Sequence, residues 1–167
     1  SELDAKYGKV CHKLAHNILD SRQDAEECVN DAYLGTWNAI PPQRPDPLLP
    51  FVCVLVRRYS IMRYRANTAM KRNSSYDACM EEIENCIAAP GRVEDHYEAK
   101  VLARTIERFL DTLNRENRVI FMRRYWYSDS YAAIAALTGL TEKNVSVRLA
   151  RVRKQLRDYL MKQGVLT

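Results

Sequence analysis

The C-terminal third of the chain carries the side chains with the plainest chemical use. Lys143, Arg148, Arg151, Arg153, Lys154, Arg157 and Lys162 recur along one helical stretch in which Asp158 is the only acid after Glu142. Such cations suit phosphate oxygens, and the short polar side chains among them, Asn144 and Ser146, suit base edges in a DNA groove. A second group lies between Arg57 and Arg72, where six basic residues and no acid are interleaved with Tyr59 and Tyr64. Cations hold a sugar-phosphate backbone while a ring receives an unstacked base, so this pattern suits single-stranded or melted nucleic acid. Tyr59 falls on an apolar stripe and reads equally well as a half-buried core residue. A third group has the opposite sign: Asp24, Glu26, Glu27 and Asp31. It offers a docking surface to a basic partner, although acids in the first turns of a helix also answer the helix dipole. All three are binding chemistries. The sequence holds no nucleophile–base set, phosphate-binding Gly loop or metal cluster, so no enzyme activity, catalytic residue, cofactor or metal is expected. His12 and His16 stand four apart, a spacing that can hold a metal, but without a third ligand nearby they read as a solvated helix face.

These side chains need helices to present them. Ser128 and Ser130 can cap a short apolar helix with Tyr131, Ile134, Ala135 and Leu137 at helical spacing. Gly139 tolerates the left-handed backbone of a tight corner, and Thr141 caps a second helix running to about Lys162. Val145, Leu149, Val152 and Leu156 form its buried stripe. Two helices joined by a short Gly turn describe a helix-turn-helix; the plainer alternative is a helical hairpin with a solvated basic face.

The rest of the chain is read the same way. Tyr7, Cys11, Leu14 and Ile18 mark a helix from about Leu3 to Leu19. Ser21, with Asp24 in a weak capping box, opens the next, from about Arg22 to Ile40, with Ala25, Cys28, Val29, Ala32 and Tyr33 buried. Pro41-Pro42-Gln43-Arg44-Pro45-Asp46-Pro47 must be a stiff, extended connection. Leu48, Val52, Leu55, Tyr59 and Met62 then give the apolar stripe of a helix reaching about Arg72. Asn73 to about Glu94 is acidic, contains Pro90-Gly91 and has weak periodicity at Met80, Ile83 and Ile87, which predicts a flexible connector. Helicity resumes near Asp95, with a stripe of Val101, Leu102, Thr105, Ile106, Phe109, Leu110 and Leu113. Asn114 caps a helix over Arg115 to Tyr127 that buries Val119, Ile120 and Tyr125 or Trp126.

The totals agree with an all-α chain of two small helical domains joined by an acidic flexible linker. The 167 residues include 47% apolar residues, only 5 Gly and 6 Pro, and a net charge of +5. The charge is blocky: Asp77 to Glu98 holds seven acids and one Arg. Such blocks suggest a polyanion-binding surface beside an acidic connector. The five Cys are scattered, with no C-x-x-C pair, and read as reduced thiols of a cytoplasmic protein. No apolar run is long enough to span a membrane, so no membrane insertion is expected. The chain opens directly in helix, and a segment preceding Ser1 is expected.

Taken together these stretches resemble a sigma factor of bacterial RNA polymerase, of the small extracytoplasmic-function (ECF) type in the sigma-70 family. Asp24-Ala25-Glu26-Glu27-Cys28-Val29-Asn30-Asp31-Ala32-Tyr33-Leu34 through Trp37 is similar to the family helix that docks on the polymerase. Leu55 through Arg65 is similar to the helix that recognises and melts the downstream promoter element, with Arg58 and Met62 standing where many members have Asn and Asp. Arg118-Val119-Ile120-Phe121, Ile134-Ala135, Gly139, Val145, Arg148-Leu149, Arg151, Arg153 and Leu156-Arg157 resemble the domain that reads the upstream element; Ala133 and Asn114 replace a usual Glu and Pro.

The resemblance implies a region 2-like domain over 1–75, an acidic linker over 76–95 and a region 4-like helix-turn-helix domain over 96–167. It implies core RNA polymerase and promoter DNA as partners, and commonly an anti-sigma factor. Asp24, Glu26, Glu27, Asp31 and Trp37 would hold the polymerase. Arg57, Arg58, Tyr59, Arg63, Tyr64 and Arg65 would serve the downstream element. Lys143, Asn144, Ser146 and Val147 would meet base edges of the upstream element, and Arg148, Arg151, Arg153 and Lys154 its phosphates. The principal rival is a stand-alone helix-turn-helix transcription regulator that needs no polymerase; a helical interaction protein with an incidental basic face is a further one.

Overall fold

Few breakers, apolar residues at helical spacing and a polar cap ahead of most apolar runs leave the backbone little alternative to helix. The computed structural model describes residues 1–67, 74–87 and 96–166. Among them run α1 (Glu2–Ile18), α2 (Arg22–Ala39), α3 (Leu48–Asn67), α4 (Ser75–Ile87), α5 (His96–Thr112), α6 (Arg115–Tyr125), α7 (Tyr131–Thr138) and α8 (Glu142–Lys162), and no strand. Side-chain oxygens set the helix starts by accepting from otherwise orphan N–H groups. Ser21 accepts from Asp24 (3.2 Å), Asn114 from Asn117 (2.8 Å), Ser130 from Ala133 (3.1 Å) and Thr141 from Asn144 (3.1 Å). Ser128, expected beside Ser130 as a cap, is instead buried at φ 59° in the corner between α6 and α7.

The chain divides into two compact units, Ser1–Ala78 and Cys79–Thr167. In the first, α1, α2 and α3 pack on one another. Cys11, Leu14, Ala15, Ile18, Ala25, Cys28, Val29, Ala32, Val52, Cys53 and Val56 are its core. Many of these are small, which lets helix backbones approach closely. At Gly35 a Cβ would stand 2.9 Å from the Tyr59 hydroxyl, so α2 and α3 meet where α2 has no side chain. Gly8 does similar work on α1. It leaves room for Asp4 Oδ1 to accept from the Tyr33 hydroxyl (2.9 Å) while lying 3.0 Å from His12 Nε2. His12 is therefore engaged by Asp4.

Two expectations for this unit change. The buried stripe of α3 is Val52, Cys53, Val56 and Ser60; Leu48, Leu55 and Tyr59 are half-buried and Met62 is exposed. The larger residues suggested a stripe about one position away, but the small Cys53 and Ser60 allow the closer approach. The Pro-rich connection begins as a turn, with the Gln43 N–H donating to the Ala39 carbonyl (2.9 Å), rather than as an extended run throughout. Pro50 sits in the first turn of α3, where a missing N–H is no loss. Lys71 and Arg72, read as the end of this helix, lie outside the described residues.

In the second unit α5, α6 and α7 gather around α8. Val145, Leu149, Val152, Leu156 and Leu160 of α8 are buried among Phe109, Leu113, Ile120, Phe121, Tyr125 and Ile134. Gly139 adopts φ 75° and its N–H returns to the Ala135 carbonyl (2.9 Å), so α7 and α8 form the expected helix-turn-helix. Val119 and Leu137, expected in the core, are exposed; Phe121 and Arg124 are buried on α6 in addition to Ile120 and Tyr125.

The largest departure is α4. A flexible connector was expected over 76–95, and Ser75–Ile87 is helix. The Asp77 N–H donates to Ser74 Oγ (3.3 Å) and Asp77 Oδ2 accepts from the Ser74 N–H (3.4 Å), a reciprocal capping box that starts it. Cys79 is fully buried in the second unit's core, and Met80, Ile83 and Ile87 pack against that core. Residues 88–95, with Pro90-Gly91, Glu94 and Asp95, lie outside the described residues.

At Gly139 nothing lies within 4 Å of where a Cβ would be, so the left-handed backbone alone opposes substitution. Gly139→Ala is expected to destabilise the second unit by about 1–2 kcal/mol, and Gly139→Asn by less. Urea unfolding of the variants checks this; equal stability of Ala and Gly would remove the turn from the explanation of the motif.

Candidate nucleic-acid and partner interfaces

The buried residues of α8, spaced 4, 3, 4 and 4, fix its roll about its own axis. That roll leaves Lys143, Asn144, Val147, Arg151 and Lys154 exposed and Ser146 half-buried. Six of the expected upstream contacts thus share the accessible side of one helix. Arg148 lies at the edge of this side, where its guanidinium donates to Glu116 of α6 (2.5 Å). The eighth, Arg153, is set differently. It follows Leu149 by four residues and precedes Leu156 by three, which turns it toward the core. There it donates to Glu82 and to the Tyr125 hydroxyl (2.8 Å). Arg153 is corrected from a phosphate candidate to an internal ion-pair partner.

Glu82 is the residue that sequence reading missed. Its Oε1 accepts from the Tyr125 hydroxyl (2.6 Å) and from Arg153, and its Oε2 from Arg124 (2.9 Å) and the Tyr131 hydroxyl (2.6 Å). Arg124 also donates to the Asp129 carbonyl (2.9 Å) and lies 4.1 Å from the Tyr131 ring centroid. Burial pushes the Glu82 carboxyl up, but hydrogen bonds from Tyr125, Tyr131 and Arg124 outweigh it and hold the group below its usual range. One signal was available in the sequence. Glu82 stands between Cys79 and Ile83 on the same helical stripe as Met80 and Ile87, so an acid sits beside an apolar face.

In the first unit the acidic and basic groups face each other. Arg63 of α3 donates to Asp24 (3.1 Å) and Glu27 (3.3 Å) of α2, and the Asn67 amide donates to Asp24 (2.9 Å). Asp24 thus turns its carboxylate toward α3 while its N–H donates to the Ser21 hydroxyl. Two residues expected to hold a protein and one expected to hold DNA form one cluster. Tyr59 is half-buried against Gly35, as the core reading had it. The Tyr64 hydroxyl donates to Asp77, and its ring meets Tyr76 edge-on with centroids 5.3 Å apart. Arg57 is half-buried, while Arg58 and Arg65 are exposed. Glu26, Glu27 and Asp31 are exposed on α2, with Glu26 accepting from Arg22 (3.0 Å). Trp37 is 77% exposed and Leu34 60%, uncommon exposure for such large apolar groups. Trp37 borders a groove of about 780 Å³ lined also by Leu3, Tyr7, Thr36, Ile40 and Leu48.

Two family descriptions match this chain: Sigma-70 region 2 over residues 3–70, and Sigma-70, region 4 over residues 103–156. The chain belongs to the sigma-70 family. A curated relative, the ECF RNA polymerase sigma factor SigE of Mycolicibacterium smegmatis, is 22% identical over 163 residues, covering 98% of this chain and 62% of its own length. The chain thus spans about three fifths of the relative it matches. Region 2 takes in α1, α2 and α3. Region 4 starts within α5 and ends within α8, while α4 lies outside both matches. Among the described residues no group of three His, Cys, Asp or Glu could hold a metal ion, and no helix is long and apolar enough to cross a membrane. None of the five cysteines is joined in a disulfide.

The depressed Glu82 pKa has a pH signature. A carboxyl whose folded pKa lies below its unfolded value adds stability above that unfolded value, about 4.5, and the contribution fades as pH falls through the folded pKa. The wild type is expected to lose more stability than Glu82→Gln between about pH 5 and pH 3. Urea midpoints across that window check it; parallel curves would mean that Glu82 is not held ionised by this network.

Proposed function

We propose that this sigma factor binds core RNA polymerase and directs promoter recognition, promoter opening and transcription initiation. One observation carries the reading: regions 2 and 4 occur in order, each on its own compact helical unit. The factor lends sequence specificity to an enzyme that lacks it and catalyses no reaction itself. Its setting is the bacterial cytoplasm, and an anti-sigma factor is a further partner of the same surfaces. Residues 1–75 act on the polymerase and the downstream element, 96–167 on the upstream element, with the acidic segment over 76–95 between them.

Each role follows from chemistry. The start of α8 enters the major groove with Lys143, Asn144, Ser146 and Val147 toward base edges, while Arg148, Arg151 and Lys154 meet phosphates. On α3, Arg57, Arg58, Arg63 and Arg65 hold the backbone of the opened strand, with Tyr64 and the edge of Tyr59 beside it. Glu26, Glu27, Asp31 and the exposed Trp37, with Asp24 at the border, form the polymerase contact; an exposed Trp beside a groove supports an anchoring role. Two modules on one tether give avidity that neither has alone. A stand-alone regulator would use the second unit only, and would leave Trp37 and the acidic face of α2 without employment.

Transcription in vitro with core polymerase, with and without the chain, tests the whole reading; no promoter-specific transcript would overturn it. Arg151→Ala is expected to weaken duplex binding at every sequence and to lower the salt slope by about 1. An unchanged slope would remove Arg151 from the phosphate contacts. Glu27→Ala and Trp37→Ala are expected to reduce capture of core polymerase, with Trp37→Ala costing about 2 kcal/mol or more, while leaving isolated duplex binding unchanged. Undiminished capture by both would place the docking surface elsewhere.

A further inference from the structure

We infer that the DNA-reading unit of this sigma factor begins at α4, and that Glu82 is a positioning residue for the helix-turn-helix. The inference rests on the promoter-binding role proposed above. The region 2 and region 4 matches leave out residues 71–102, so neither contains α4. The second unit nevertheless begins at Cys79.

The geometry at Glu82 carries the argument. Four donors from three helices converge on one carboxylate: Arg124 and Tyr125 of α6, Tyr131 of α7 and Arg153 of α8. A carboxylate offers about four lone-pair sites, and all are taken. Tyr131 is the first residue of α7 and Arg153 lies past the middle of α8. Both members of the motif are therefore tied to one point outside it. The Gly139 turn alone sets where the two helices join, not the angle between them.

Further bonds surround that point. Cys79 Sγ lies 3.8 Å from the Asp129 carbonyl, in the corner that feeds α7, and Arg124 donates to the same carbonyl. At the other end of α4, Cys86 Sγ lies 3.0 Å from the Arg153 carbonyl, and Arg157 donates to the Cys86 carbonyl (3.0 Å). A cation on the last carbonyls of a helix is favourably placed. Without the Glu82 charge, two guanidiniums and two phenols converge on a group that no longer attracts them. Arg124 is 6% exposed and cannot reach water where it stands. The strain is relieved by movement of α7 and α8, which changes the angle at which α8 meets a groove. Were α4 instead a mask over Arg153 and Arg157, removing the Glu82 charge would free both for DNA and tighten duplex binding.

The full chain is compared as wild type, Glu82→Gln, Glu82→Asp, Tyr131→Phe and the exposed control Glu84→Gln. In hydrogen exchange, Glu82→Gln is expected to speed amides of α7 and α8 about fivefold or more while α1 to α3 stay unchanged. Glu82→Asp should recover part of this, Tyr131→Phe should loosen α7 alone, and Glu84→Gln should change nothing. In selection from a pool of random duplex DNA, Glu82→Gln is expected to bind about tenfold more weakly and with broadened sequence preference. Unchanged exchange in Glu82→Gln overturns the proposal. So does tighter duplex binding with a steeper salt slope, the mark of a mask. If Glu82→Gln fails to fold, Tyr131→Phe and Glu82→Asp decide by the same two readouts. A wild type that selects no sequence would defeat the promoter reading, while the exchange result would still decide whether Glu82 positions the motif.

Discussion

The roll of α8 about its own axis governs which cations meet solvent, and five apolar side chains set it. Val145, Leu149, Val152, Leu156 and Leu160 are all essentially inaccessible. Burying each adds roughly 1.5–3 kcal/mol relative to leaving it exposed. Rotating the helix by one residue would expose several at once, so the face bearing Lys143, Asn144, Arg151 and Lys154 is determined by what it does not contain. A basic helix without this apolar seam would present its charges in every direction and read no groove in particular.

The first unit reaches a comparable result with smaller side chains. Ala25, Cys28, Ala32, Cys53 and Ser60 bring α1, α2 and α3 together without large residues. Close approach leaves little room for bulky groups at the contact, so Trp37, Leu34 and Met62 remain outside. Exposed apolar surface on a helical unit of this size is expensive in water and becomes an asset when a partner covers it. Packing and docking are therefore not separate specifications of α2. The same economy of volume that closes its inner face strands Trp37 on the outer one.

Much of this was legible in the residues. Caps at Ser21, Asn114, Ser130 and Thr141, the left-handed Gly139 and the stripe of α8 all follow from local rules that tertiary contacts do not override. What escaped detection was long-range. The α4 segment looked like a linker because its acids and weak apolar periodicity read as a solvated stretch, yet Ser74 and Asp77 start a helix and Cys79 is buried far along the chain from its neighbours. Composition weighs an acid as a solvating group; Glu82 is the exception because four donors at distant positions wait for it. Arg153 was misread for the complementary reason. Its basic neighbours made it one of a row, and only the register against Leu149 and Leu156 sets it apart. On α3 the apolar stripe was placed by the largest residues, when the smallest decided the contact.

The two kinds of ion pair in this chain differ in what they leave available. Arg63 with Asp24 and Glu27, and Arg148 with Glu116, have side chains between about a quarter and a half exposed. Pairs of that kind contribute roughly 0–1 kcal/mol and are screened by salt. A competing anion can therefore displace any of these three acids at little cost, and both guanidiniums remain able to change partners. Arg153 and Arg124 share Glu82 in a more buried setting, where removing one partner of such a pair typically costs about 3–5 kcal/mol. An interaction that strong does not yield to a phosphate at the surface. Residue type alone cannot separate these arginines. Burial divides them into those that can change partners and those that hold the fold in place while the others do.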